Sequence, residues 1–221
     1  MNRLLQSYIL TKYANISFDI FDTIIERDVS NPLDIFSLVE NETEEPDFRN
    51  KRIQAERRAR IKSPSGEVSI EDIYSEYKES EKHCDFLMNA ELIMEEKHIH
   101  IKKSMYSFYT RCIAQNKNVY LVSDMYLPVN FIEHLLENCN VHGYKKLYVS
   151  CEHKKNKVTS ELFRKLINDE NIRRNELIHI GDSFKADFQG AHKIGISSVL
   201  IPRKNIIKEV EEKVKQKIRG L

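Results

Sequence analysis

Five short apolar runs limit what this chain can fold into: NISFDIF (15–21), NVYLVSD (118–124), KLYVSC (146–151), LIHIGD (177–182) and ISSVLI (196–201). They are rich in β-branched residues and too short for buried helices, so each reads as a strand. In the second half they alternate with VNFIEHLLENC, TSELFRKLINDE and FKADFQGAHKIG, whose apolar residues recur at helical spacing. Strands alternating with helices build a parallel sheet covered on both faces and joined by right-handed crossovers. An α/β fold is therefore expected.

One interval breaks this rhythm. From Asn31 to Gln115 no strand is predicted, only helix-like stretches: PLDIFSLVENE, DFRNKRIQAERRARIK, IEDIYSEYKESE and a long run from Phe86 to Ala114. SPSGE (63–67) reads as a turn, and VSIEDIY places Ser69 and Asp72 at the spacing of a helix capping box. A length of 221 residues suits a core of 1–30 and 116–221 with a helical cap, 31–115, inserted after the first strand. IIKEVEEKVKQKIRGL at the end has the pattern of an amphipathic helix that packs on the sheet.

Composition narrows the function classes. The 35 Lys and Arg nearly cancel the 34 Asp and Glu, which points away from a nucleic-acid or membrane surface. Cys84, Cys112, Cys139 and Cys151 are widely spaced with no CxxC pair, so neither zinc nor a disulfide framework is expected. MNRLLQSYIL is too short and polar for a signal peptide, and no apolar run approaches the roughly 18 residues of a membrane span. A soluble, cytoplasmic protein follows as the expectation.

In an open parallel sheet, ligands bind outside the carboxyl ends of the strands. Asp19, Ser123 and Asp182 each end a different predicted strand, and the prediction is that they converge. Any one of them alone would be ordinary turn chemistry.

Around these residues the sequence resembles the haloacid dehalogenase-like hydrolase superfamily. Four motifs occur in order: FDIFDT (Asp19, Thr23), LVSDMYLP (Ser123), KKNKVTSELF (Lys157) and GDSFKADFQGAHKIGI (Asp182, Asp187). The last is long and rigidly spaced, and so is the most specific. The resemblance implies a Rossmann-like doubly wound sheet, order 5-4-1-2-3, with a type 1 cap. It further implies that Asp19 attacks phosphorus to form an aspartyl-phosphate. Mg²⁺ would be held by Asp19, Asp182 and the Phe21 backbone carbonyl, with Asp187 as a further ligand or an orienter. Ser123 would bind phosphoryl oxygens together with Lys157 and Thr23, and Lys157 would also hold the nucleophile. SFDIFDTIIER and SDMYLP resemble a bacterial branch associated with glycosyltransferases and surface-polysaccharide synthesis. That branch implies a small phosphorylated metabolite as substrate and a glycosyltransferase or a second copy of the chain (a homo-oligomer) as partner.

Phe21 departs from the pattern. Phosphatases of this superfamily carry a second Asp at that position as general acid and base, help typically worth about 10² to 10⁴ in rate, or roughly 3 to 5 kcal/mol. Three arrangements answer the departure. A phosphatase can use a weakly basic leaving group, or take the proton from Asp22 or a cap residue. A dehalogenase also has an aromatic residue there and expels halide without an acid. A binding or regulatory module keeps the fold without catalysis. An extended chain at Phe21 turns Asp22 away from the nucleophile, where it braces the turn into IIERDV.

Other candidates compete with plainer roles. Arg57, Arg58 and Arg60 could reach a second phosphate, or form the solvated side of a helix whose other side holds Phe48, Ala55 and Ala59. Lys154 and Lys155 read as a solvated face beside Lys157, and Ser183 as the cap of the next helix. His98 and His100 lie in a predicted helical region and point apart, which argues against metal binding. The aromatics of MYSFYTR read as packing.

Overall fold

The structure, a computed structural model, describes residues 1–77 and 79–201. Its strands are β1 (Asn15–Phe18), β2 (Ile25–Arg27), β3 (Ile99–Ile101), β4 (Asn118–Ser123), β5 (Lys146–Val149), β6 (Leu177–Gly181) and β7 (Ser197–Leu200). The helices are α1 (Arg3–Lys12), α2 (Asp34–Thr43), α3 (Phe48–Lys62), α4 (Ile70–Tyr74), α5 (Glu81–His98), α6 (Lys103–Ala114), α7 (Val129–Asn138), α8 (Ser150–His153) and α9 (Glu161–Asp169). A π-helical stretch, Phe184–Gln189, runs into a last helical turn, Gly190–His192. The amphipathic helix expected over IIKEVEEKVKQKIRGL lies outside the described residues.

Every residue of β1 and β6 is buried, as a parallel sheet covered on both faces requires. β1 runs parallel to β4 on one side and β6 on the other, with Phe18 in register with Leu121 and Ile180. The full order is β5-β4-β1-β6-β7, the expected order of the five core strands read from the opposite edge. Strand alternation divides the core: Val119 and Leu121 face one layer with Phe18, while Tyr120 and Val122 face the other with Phe163, Leu166 and Ile194. The chain crosses from one side of β1 to the other between β5 and β6. This puts the topological switch point at the carboxyl ends of β4, β1 and β6, where a crevice opens.

The inserted helices bury Phe36, Phe48, Ala55, Ile73, Tyr74 and Leu87 against one another. Ser69 and Asp72 form the capping box anticipated for α4, with Asp72 N donating to Ser69 Oγ at 3.1 Å and Ser69 N donating to Asp72 Oδ2 at 2.9 Å. Contrary to expectation, the interval contains a strand. β3 pairs antiparallel with β2, and backbone bonds from Lys102 N to Ile24 O (2.9 Å) and Asp28 N to His98 O (3.0 Å) flank the pair. Three residues directly after a helix are too few to show a period of two. His100 therefore lies in a strand, not a helix; it faces Glu26 (3.4 Å), and His98 bonds Asp28 (2.7 Å). The helix α6, which the sequence assigns to the insertion, packs on the sheet instead. Phe108 and Tyr109 set their rings edge-on to Phe18 at 6.0 and 5.7 Å. Met105, Phe108 and Tyr109 are all buried, so the aromatics of MYSFYTR pack as expected.

Candidate active site

Asp19 follows β1 directly and is fixed by its own backbone, whose N–H donates to Ile180 O at 2.8 Å. The residue is 6% exposed; Lys157 Nζ donates to Oδ1 at 2.6 Å and Thr23 Oγ1 to Oδ2 at 3.0 Å. Burial, offset by Lys157 and reinforced by Asp187 and Asp182, pushes the Asp19 carboxyl well above its ordinary range. Ser123 ends β4, 2% exposed, and Asp182 follows Gly181 at the end of β6. The three strand-end residues line one cavity of about 350 Å³ together with Lys157 and Asp187. A larger groove, about 460 Å³, lies by Lys62, Pro64 and Glu76 and holds none of them.

Of the three lysines in KKNK, Lys157 is the one that lines the cavity. Its ammonium sits between Asp19 and Asp187, 2.5 Å from Asp187 Oδ1, while Lys154 pairs with Asp72 at 2.9 Å. Burial works against the charge, but Asp187, Asp19 and Asp124 outweigh it, so Lys157 stays protonated. Asp187 is filled by donors from the protein. Besides Lys157, it accepts from His179 Nε2 at 3.0 Å and from Ser183 N at 2.7 Å. Burial opposes its ionisation, yet Lys157 and His179 hold its carboxyl far below the usual carboxylate range. His179 is wholly buried, which lowers its pKa and keeps it neutral, and Ser17 Oγ lies 2.9 Å from its Nδ1. Ser183 Oγ accepts from Ala186 N at 3.2 Å, the capping role expected of it.

Two glycines account for the spacing of GDSFKADFQGA. A Cβ on Gly181 would lie 2.2 Å from Asp187 Cγ, and one on Gly190 would lie 2.0 Å from Lys157 O. Neither the Asp187 carboxylate nor the Lys157 loop could reach its place past a side chain.

Phe21 is buried, and the Arg27 guanidinium lies over its ring, 4.8 Å from the centroid. Arg27 is itself paired with Glu95 through two bonds of 2.7 and 2.9 Å. Asp22 adopts a left-handed backbone, φ 58°, and its carbonyl accepts from Lys102 Nζ. It too lines the cavity. None of the three arginines proposed for a second phosphate lines this cavity. Arg58 donates to Glu76 O (2.6 Å), Arg60 to Glu56 (2.9 Å) and Gly66 O (2.9 Å), and Arg57 lines a separate groove with Ile53 and Ile61.

Sequence reasoning passed over several residues that the structure puts at the site: Asp124, Arg27, Glu95, Tyr126 and His179. Two of them carried a signal. His179 is a polar interruption in the centre of a buried strand, and Asp124 immediately follows a strand-end serine.

Seven carboxylates line the cavity (Asp19, Asp22, Glu56, Glu95, Asp124, Asp182 and Asp187) against two cations, Arg27 and Lys157. Ligand oxygens of Asp19, Asp182 and Asp187 lie within 4.8 Å of one another. Hard oxygen donors with excess negative charge fit a divalent cation.

Known proteins share this architecture. The HAD-family hydrolase YfnB of Bacillus subtilis, in a structure bound to magnesium, superposes with a TM-score of 0.61 at 16% identity, covering 86% of this chain and 89% of that one. A HAD-family enzyme of Bacteroides thetaiotaomicron, in complex with magnesium and inorganic phosphate, gives 0.58 at 16% identity over 87% and 96%. A 2-haloacid dehalogenase of Pseudomonas syringae gives 0.62 at 12% identity over 85% and 86%. At these identities the likeness is one of fold. No curated protein matches the sequence significantly. The family model described as haloacid dehalogenase-like hydrolase matches residues 16–201, and by that match the chain belongs to the haloacid dehalogenase-like hydrolases.

Proposed function

We propose that this hydrolase is a Mg²⁺-dependent phosphohydrolase that works through an aspartyl-phosphate on Asp19. The observation that carries the reading is the buried Lys157 ammonium clamped between Asp19 and Asp187, beside Asp182 and Ser123 at the ends of the two strands that flank β1. A carboxylate oxygen of Asp19 attacks phosphorus as the bond to the leaving oxygen breaks. Water then hydrolyses the acyl phosphate, releasing inorganic phosphate and restoring the carboxylate. Lys157 and Thr23 fix the nucleophile, and Ser123 and Lys157 bind the phosphoryl oxygens. Asp19, Asp182 and the Phe21 carbonyl would hold Mg²⁺, which when bound offsets the repulsion between carboxylate and phosphate. Asp187, with both oxygens already occupied by Lys157, His179 and Ser183, orients Lys157 instead of binding the ion.

A cavity of about 350 Å³ suits a small phosphorylated metabolite. The resemblance of SFDIFDTIIER and SDMYLP supports a sugar or glycerol phosphate of surface-polysaccharide synthesis. We read α2–α5 as the cap over the site and place α6 with the core. The four cysteines are free thiols, which supports a cytoplasmic location, and among the described residues no helix is long and apolar enough to cross a membrane.

The Phe21 ring under Arg27 also favours a second reading, dehalogenation, which needs no acid. Hydrolysis of p-nitrophenyl phosphate, a sugar phosphate and a 2-haloacid with Mg²⁺ decides between them. Phosphate release that is abolished by Asp19→Asn is expected. Halide release alone would replace phosphohydrolysis with dehalogenation. No turnover of any of them, with no Mg²⁺-dependent binding of BeF₃⁻, would leave a binding module.

A further inference from the structure

With Phe21 in the acid's place, a phosphohydrolase of this design needs another proton source for its leaving oxygen. This question rests on the reading above, and the carboxylates that line the cavity can be compared one by one. Asp19 is the nucleophile, and Asp182 belongs to the cation. Asp187 accepts from three donors. Glu95 is held at both oxygens by Arg27, and Glu56 bonds Arg52 at 3.2 Å and Arg60 at 2.9 Å. Protonating Glu95 would strand the Arg27 guanidinium, and Glu56 already accepts from two arginines. Asp22 lies close enough to Arg27 to strengthen the charge of the guanidinium, and the test below includes it as the rival acid.

Asp124 differs from all of these. It stands next to Ser123 in the cavity wall, and its two oxygens share one backbone donor, Lys157 N, at 2.9 and 3.1 Å. That single N–H leaves lone pairs on both oxygens for a proton. We propose that Asp124 is the general acid of the first step and the general base of the second. As the P–O bond breaks, the Asp124 carboxyl gives its proton to the leaving oxygen. The resulting carboxylate takes a proton from the water that attacks the aspartyl-phosphate, which returns Asp124 to its acid form and closes the proton balance.

The electrostatics agree with this geometry. Burial pushes the Asp124 carboxyl up to about 6; Lys157 opposes the rise, and Glu67 and Asp187 add to it. These three are the charged groups that act on it most strongly, from the loop before α9, the inserted segment and the π-helical stretch, and Asp19, Asp22, Arg27, Glu56, Glu95 and Asp182 line the same cavity. An acid with a pKa near working pH is the most effective proton donor.

The test is a series of phosphate monoesters running from p-nitrophenol to alkyl alcohols and sugars, assayed with Mg²⁺ in the wild type and Asp124→Asn. Asparagine keeps an oxygen for the Lys157 N–H, so the loop brace survives and only the proton is lost. For the variant, turnover of alkyl and sugar esters should fall by about 10² to 10⁴. On p-nitrophenyl phosphate it should release a burst of nitrophenol at a rate within about tenfold of wild type, followed by slow turnover as the aspartyl-phosphate accumulates. An equal loss on every ester without a burst would overturn the proposal, as would the selective loss appearing in Asp22→Asn instead. If the wild type hydrolyses aryl but not alkyl esters, no acid operates and the proposal fails while the phosphohydrolase reading stands. If it hydrolyses neither, both readings fall.

Discussion

Glu91 allows a direct test of how the inserted helices are held. Its carboxylate is wholly buried and accepts four bonds: Arg52 Nε at 2.7 Å, Arg52 Nη2 at 2.9 Å, Tyr74 Oη at 2.9 Å and Tyr126 Oη at 3.0 Å. Burial works against the Arg52 charge, but Glu91 more than compensates, so Arg52 remains a cation with no exposure to water. Glu91→Gln keeps the shape and removes the counter-charge. Breaking one side of a buried pair generally costs about 3 to 5 kcal/mol. Glu56 remains 3.2 Å from Arg52 Nη1, which sets the expectation at the lower end, about 3 kcal/mol. For a chain of this size that lowers Tm by about 6 to 12 °C, measured by circular dichroism or calorimetry. Replacing the pair together, Arg52→Met with Glu91→Leu, should recover most of the loss, short of about 1 kcal/mol for each orphaned tyrosine hydroxyl. A loss below about 1 kcal/mol in the single variant would refute this account of Glu91. So would a double variant less stable than the single one.

Two further outcomes are expected at the site. Saturating Mg²⁺, at about 100 times its Kd, should stabilise the protein by about 2.7 kcal/mol in a thermal melt, and Asp182→Asn should remove that shift. Asp124 has its carboxyl raised to about 6, so the stability associated with it is greatest below the ordinary carboxylate value and is lost as pH rises through about 6. In metal-free buffer Asp124→Asn should therefore be more stable than wild type at pH 8, by about 1 to 2 kcal/mol after screening through the cavity mouth. The difference should vanish near pH 4, and a constant difference across the range would show that Asp124 does not titrate there.

What could be read from the sequence was local. An apolar run that ends in Asp or Ser needs no distant information, so Asp19, Ser123 and Asp182 could be placed at one edge of one sheet from spacing alone. Lys157 needed a motif, since KKNK does not itself distinguish a buried ammonium from three solvated ones. Arg52 could not be found. Its helix, FRNKRIQAERRARIK, is so densely charged that its polar side reads as solvated, and the partner that buries one of those arginines stands 39 residues away on α5. β3 was hidden because three residues at the end of α5 continue the helical pattern well enough to pass for it.

The same helix gives Phe21 a structural context. Glu91 and Glu95 are one turn apart on α5 and share a face. Glu91 meets Tyr126 on the loop that follows Ser123, and Glu95 meets Arg27 over the Phe21 ring. A single face of the inserted segment therefore touches both the segment that follows Asp19 and the loop that follows Ser123. Phe21 is what lets it do so: an aromatic face accepts the Arg27 guanidinium without competing with Glu95 for it. A carboxylate at position 21 would compete with Glu95 for that guanidinium. The departure at Phe21 and the Arg27–Glu95 pair are thus one adaptation. The acid proposed for this site, Asp124, takes its hydrogen bonds instead from the Lys157 backbone N–H, at 2.9 and 3.1 Å.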